Sequence, residues 1–89
     1  MPTGHLRETI AKLREEIVAG KPVRPDQVDV LHETLAEVET LLEAEEAEAG
    51  SSAWLVERLR EAEAGFEGSH PNIATAVRAV VNALSRLGI

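Results

Sequence analysis

Three histidines, His5, His32 and His70, are the side chains best suited to hold a metal ion, and a ligand set would need them at convergent spacing. They lie on three different segments, none has a histidine one helical turn away, and the chain contains no cysteine to supply a thiolate. They therefore read as structural or surface histidines. The other concentration of chemistry is carboxylate, in Glu37, Glu39, Glu43, Glu45, Glu46 and Glu48. Paired carboxylates can cleave a glycosidic bond or hold two irons inside a helical bundle. The first needs burial beside an aromatic pocket, and this chain has only Trp54 and Phe66 with which to build one. The second needs a Glu-x-x-His motif from each of two helices, and no such pair of motifs is present. With no nucleophile–base pair and no glycine-rich phosphate loop either, the sequence predicts no catalytic residue, no metal site and no cofactor.

What remains is recognition. Glu39, Glu43, Glu45, Glu46 and Glu48 form a candidate docking face for a basic protein, against the plainer reading of a solvated helix face. Trp54 is either an exposed anchor for a partner, as tryptophans at interfaces often are, or a cap on the end of the core. Its place next to Leu55 favours the core role.

The elements that position these residues follow from apolar spacing. Leu6, Ile10, Leu13 and Ile17 recur at four, three and four, the period of a helix seam. Thr3 is its expected cap and Gly20, followed by Pro22, its stop. Lys21–Asp26 reads as a stiff turn held extended by Pro22 and Pro25, and its P-x-x-P form is better explained by a hairpin loop than by an SH3 ligand. Asp26 is expected to cap a second helix whose seam is Val28, Leu31, Leu35, Val38 and Leu42. Folded back on the first, it gives layers whose position numbers all add to 48: Leu6 with Leu42, Ile10 with Val38, Leu13 with Leu35 and Ile17 with Leu31. That is the pattern of an antiparallel coiled coil. In this register Arg7 and Arg14 can reach glutamates such as Glu39 across the seam. Thr9, Thr34 and Leu41, together with Val30, offer a second surface for later helices to cover.

Gly50 ends the second helix, and Ser51 or Ser52 caps a third whose seam is Leu55, Leu59, Ala62 and Phe66. Ser69 or His70 then caps a final helix with Pro71 in its first turn, and His70 is expected to bond the free amides of that turn. Its seam is Ile73, Val77, Val80, Leu84 and Leu87, widened by Val81, with Ala76, Ala79 and Ala83 as a row of small residues. Only a narrow polar stripe is left, so this helix should be enclosed on most of its circumference. Because Phe66 and Ile73 are seven residues apart, one kinked helix over 52–89 is an alternative to two. The expected fold is thus all-α and four-helix-bundle-like. It comprises an antiparallel hairpin over 4–49 and a C-terminal helix pair over 52–89 in a single domain, which dimerisation would be able to complete.

The order F-E-x-S-H-P before an Ala/Val/Leu helix ending in Leu-Gly-Ile resembles a small bacterial family, domain of unknown function 4404. Phe66, Glu67, Ser69, His70, Pro71, Leu84, Leu87, Gly88 and Ile89 carry the resemblance, supported by the opening L-R-E-T-I-A-x-L and by W-L-V-E-R-L-R-E-A. It implies an architecture of short helices and supplies no activity.

Composition excludes several classes of function. The net charge of −7 is unevenly spread, with five basic residues against three acidic ones before residue 26 and nine acidic residues with no Lys or Arg between 26 and 50. That opposes nucleic-acid binding through a basic face and binding to anionic lipid. No apolar run approaches a membrane span, and the first residues lack the apolar region of a signal peptide, so cytoplasmic residence is expected. A chain of 89 residues buries only about 60% of its unfolded surface, which makes self-association a natural route to more core. The reading that follows is a non-enzymatic interaction or scaffold protein that homodimerises through its apolar helix faces, with Val77, Val80, Val81, Leu84, Leu87, Trp54 and Phe66 as residues of the interface or the core. The alternative is an acidic module that captures a basic protein or regulates a nucleic-acid-binding one.

Overall fold

The apolar seams form four helices: α1 (Pro2–Ala19), α2 (Pro25–Glu43), α3 (Ala53–Phe66) and α4 (Pro71–Leu87). The computed structural model describes residues 2–20, 22–43 and 52–87. Residues 52–87 contain two helices and not one kinked helix, because the chain turns at 67–70 before Pro71 opens α4. Ser52 is the N-cap of α3, its carbonyl accepting the Val56 N–H at 2.9 Å. Two other starts differ from expectation. Helix α1 already includes Thr3, and α2 begins at Pro25, with the Arg24 carbonyl accepting the first helical N–H from Val28. Proline suits that first position, since its missing N–H would have had no partner there. Asp26 therefore lies inside the first turn, where its carboxylate meets Arg24 at 3.1 Å.

Around the bundle the order is α1, α2, α3, α4 and back to α1, and the diagonal pairs do not approach closely among the described residues. Neighbours run antiparallel. Glu16, Lys12 and Thr9 of α1 face Asn72, Thr75 and Ala79 of α4, while Gln27 and Glu37 of α2 face Gly65 and Arg58 of α3. The bundle measures 38 × 22 × 18 Å.

Every predicted seam contributes to one core. Leu6, Ile10, Leu13 and Ile17 meet Leu31, Leu35 and Val38 from α2, Leu55, Leu59 and Phe66 from α3, and Ile73, Val77, Val80, Val81 and Leu84 from α4. Helix α4 buries Ile73, Val77, Val80, Val81, Ala83 and Leu84 between α1 and α3 but leaves Thr75, Arg78, Ala79, Asn82 and Ser85 exposed. It is thus covered on about half of its circumference and not on most of it, because in a four-helix ring each helix has only two close neighbours. Leu87 packs half-buried at its end. Helices α1 and α2 form the expected antiparallel hairpin and α3 and α4 the expected C-terminal pair; within the bundle α1 approaches α4 more closely than it does α2, and α2 in turn lies closer to α3. Side-chain size explains this, because interaxial distance follows the residues at the contact. Leucines fill the layers between α1 and α2, whereas the side of α4 turned to Thr9, Lys12 and Glu16 of α1 carries the small Ala76 and Ala79. The expected pairing of Arg14 with Glu39 does form across α1 and α2.

Candidate functional site

Two places collect the side chains that recognition or chemistry could use. The first is the end of the bundle where the α1–α2 loop and the α3–α4 turn come together. Helix α3 closes there with the N–H groups of Ser69 and His70 donating to the Phe66 carbonyl at 3.2 and 2.7 Å, and Phe66 is buried. The His70 ring stands edge-on to Phe66, with centroids 6.0 Å apart and planes at 88°. Its Nε2 lies 3.1 Å from the Pro22 carbonyl oxygen, and its Nδ1 lies 2.9 Å from Ser69 Oγ. A carbonyl only accepts, so Nε2 carries a hydrogen. In the neutral ring Nδ1 then accepts from the Ser69 hydroxyl.

This differs from the expected role. His70 does not bond the amides of the α4 start; it ties that start to the other loop, 48 positions away in sequence. The main-chain carbonyl of His70, not its ring, takes the first α4 N–H, from Ala74 at 3.1 Å. A cavity of about 300 Å³ opens beside it, lined by Glu16, Gly20, Ser69, Asn72 and Ile73. Both ring nitrogens are engaged in holding the turn. His5 and His32 lie on α1 and α2, far along the sequence from this turn. Among the described residues no three His, Cys, Asp or Glu side chains converge as a metal site.

The second place is the outer flank of α3 beside α2. Trp54, expected in the core, is 51% exposed, because one residue before Leu55 is about 100° around the helix from the buried seam. Its ring is covered on one side by the guanidinium of Arg58, 5.7 Å from the ring centroid, which also donates to Glu37 on α2 at 3.2 Å. Along the same flank follow Glu61 and Gly65, so Trp54, Arg58, Glu61 and Gly65 repeat at four, three and four on a face turned outward. Beside it runs a groove of about 300 Å³ between α2 and α3, lined by the apolar Val30, Ala62 and Phe66 and by the polar Asp26, Gln27 and Glu61. Thr9 and Thr34 are buried and Leu41 is half-buried, but Val30 stays 47% exposed. The 4-3-4 spacing is present in the sequence, but with only one apolar residue among the four it lacks the signature of a seam.

The acidic docking face is only partly in view. Glu39 is half-buried, its Oε1 enclosed and met by the Arg14 guanidinium. Glu43 is exposed at the end of α2, and Glu45, Glu46 and Glu48 lie outside the described residues. Exposed carboxylates that remain on α2 are Asp26, Asp29 and Glu33. On the opposite side of α3, Arg78 donates twice to Glu63 Oε2, at 3.1 and 2.8 Å, and that carboxylate raises the guanidinium above its ordinary value. Val77, Val80, Val81, Leu84 and Phe66 all face the interior of one chain.

No curated protein and no solved structure matches the chain. A family model does, over residues 6–89, which include the Phe66–Pro71 turn and the helices it joins. The chain belongs to the family described as Domain of unknown function (DUF4404).

Proposed function

We propose that this chain is a non-enzymatic helical interaction protein that associates with itself as a homodimer. The observation that carries the reading is where apolar surface is left over. The seams of all four helices meet in one core; among the described residues three large apolar side chains stay exposed, Val18 by itself on α1 and Trp54 and Val30 together on one flank of α2 and α3, beside an open groove. Tryptophan is costly to leave in water and is enriched where proteins meet. On this reading the protein is bacterial and cytoplasmic and needs no cofactor. Its net charge of −7 opposes direct contact with nucleic acid, and no described helix is long and apolar enough to cross a membrane.

The test is the solution mass of the full chain by light scattering after size exclusion, across concentrations and at two salt levels. A mass that doubles with concentration and is little changed by salt supports the reading. A constant monomer mass overturns it. A second reading, capture of a basic protein, is favoured by the exposed carboxylates of Asp29, Glu33 and Glu43 on α2. It requires binding that weakens steeply with salt and is lost when those residues become amides.

A further inference from the structure

We infer that the surface of self-association is the outer flank of α3, where two copies meet about a two-fold axis with Trp54 of each seated in the α2/α3 groove of the other. The inference rests on the homodimer proposed above and adds its surface and its register.

A two-fold contact is isologous: if residue i of one copy meets residue j of the other, j also meets i. With the axis perpendicular to them, two α3 helices run antiparallel and the positions that meet add to a constant. On the exposed seam, 54 with 65 and 58 with 61 both add to 119. One register therefore places Trp54 over Gly65 and Arg58 against Glu61, each twice. Both pairings are favourable. The largest exposed apolar side chain meets the one position of the seam with no side chain, and the cation meets the anion.

The receiving groove has the shape this requires. Gly65 lies eleven residues beyond Trp54, roughly 16 Å along the helix. A methyl group built there would meet only Gln27 Nε2, at 3.7 Å, so the space above it is open. Val30 and Ala62 supply apolar walls on either side. Arg58 is already steadied by its own Trp54 ring and by Glu37, and its guanidinium retains donors for a second carboxylate. A parallel arrangement would instead set Trp54 on Trp54 and Arg58 on Arg58, with the groove empty. Charge therefore selects the antiparallel register.

Trp54 is the only tryptophan, so its emission reports on this surface directly. In the full chain, rising concentration is expected to increase the mass and shift the emission to shorter wavelength together. Trp54→Ala, at an exposed position, should weaken association on the order of thirtyfold with helicity unchanged. Arg58→Glu and Glu61→Arg should each weaken it about tenfold or more, and an equimolar mixture of the two should dimerise again, since every pairing across the axis then joins opposite charges. The loss of the Glu37 contact cannot imitate that rescue, because it is lost in the mixture as well. A dimer whose Trp54 emission does not move, or a mixture that stays monomeric while the unmodified chain dimerises, overturns this surface and leaves self-association standing. A chain that stays at 9.6 kDa throughout overturns both.

Discussion

Replacing Val80 by aspartate probes the buried face of α4, which packs between α1 and α3. Val80 is fully buried in the middle of that helix. The change removes two methyl groups, worth about 1.6 kcal/mol at ~0.8 kcal/mol each. It also places a carboxyl where water cannot reach it, at a further cost of several kcal/mol if the group stays ionised. A chain of 89 residues is stable by roughly 4–13 kcal/mol at the usual 0.05–0.15 kcal/mol per residue. Val80→Asp should therefore be largely unfolded at neutral pH. The pH dependence has a definite sign. Burial raises the folded-state pKa of the introduced carboxyl above its unfolded value of about 3.9, so the folded state holds the proton longer. Stability of the variant is highest below that unfolded pKa and falls as pH rises towards the folded one. Thermal denaturation followed by far-ultraviolet circular dichroism, variant against unmodified chain at each pH, measures this. Val80→Thr serves as the uncharged control of similar shape, expected to lose about 1–3 kcal/mol with no such pH dependence. A Val80→Asp variant with the helicity and thermal midpoint of the unmodified chain at neutral pH would refute the burial of this face of α4.

Other perturbations reach the contacts that hold the helices in order. His70→Ala should cost about 1–2 kcal/mol, since it removes the bond to the Pro22 carbonyl and the edge contact with Phe66. That lowers the thermal midpoint by roughly 5–15 °C, and an unchanged midpoint would mean the tether does not hold the two loops together. Arg14→Ala leaves the enclosed Oε1 of Glu39 without its cation. With both side chains partly open to water the cost is held to about 1 kcal/mol, and a double-mutant cycle with Glu39→Ala should show the coupling. Gly65→Ala should raise monomer stability by about 0.5 kcal/mol, because the added methyl meets only ordinary contact and glycine weakens a helix. Under the α3 register the same change should weaken association, a combination readable from denaturant melts and light scattering on one sample.

Much of the fold was legible in the sequence. Seams such as Leu6, Ile10, Leu13 and Ile17, or Ile73, Val77, Val80 and Leu84, mark buried faces because a helix returns to the same side every three or four residues. The same periodicity says which face is buried but not which neighbour covers it. Layers that add to 48 fit a two-stranded coil and one side of a four-helix ring equally well, so the closer partnership of α1 with α4 became visible only in three dimensions. Trp54 shows a related limit. Adjacency to Leu55 in sequence is distance around a helix, and the tryptophan projects onto a flank instead of into the core. His70 shows another: the serine and proline around it marked a helix start, but nothing local showed that its ring reaches the Pro22 carbonyl. Val30 looked like a residue for α3 to cover, and the incomplete cover is what leaves the groove.

The most direct test of self-association through α3 is one experiment: size exclusion with in-line light scattering and Trp54 emission, loading the full chain over a wide range of concentration. The account predicts a mass rising from 9.6 kDa towards twice that value, with emission moving to shorter wavelength over the same range. A mass of 9.6 kDa at every load, with Trp54 emission constant, would contradict it.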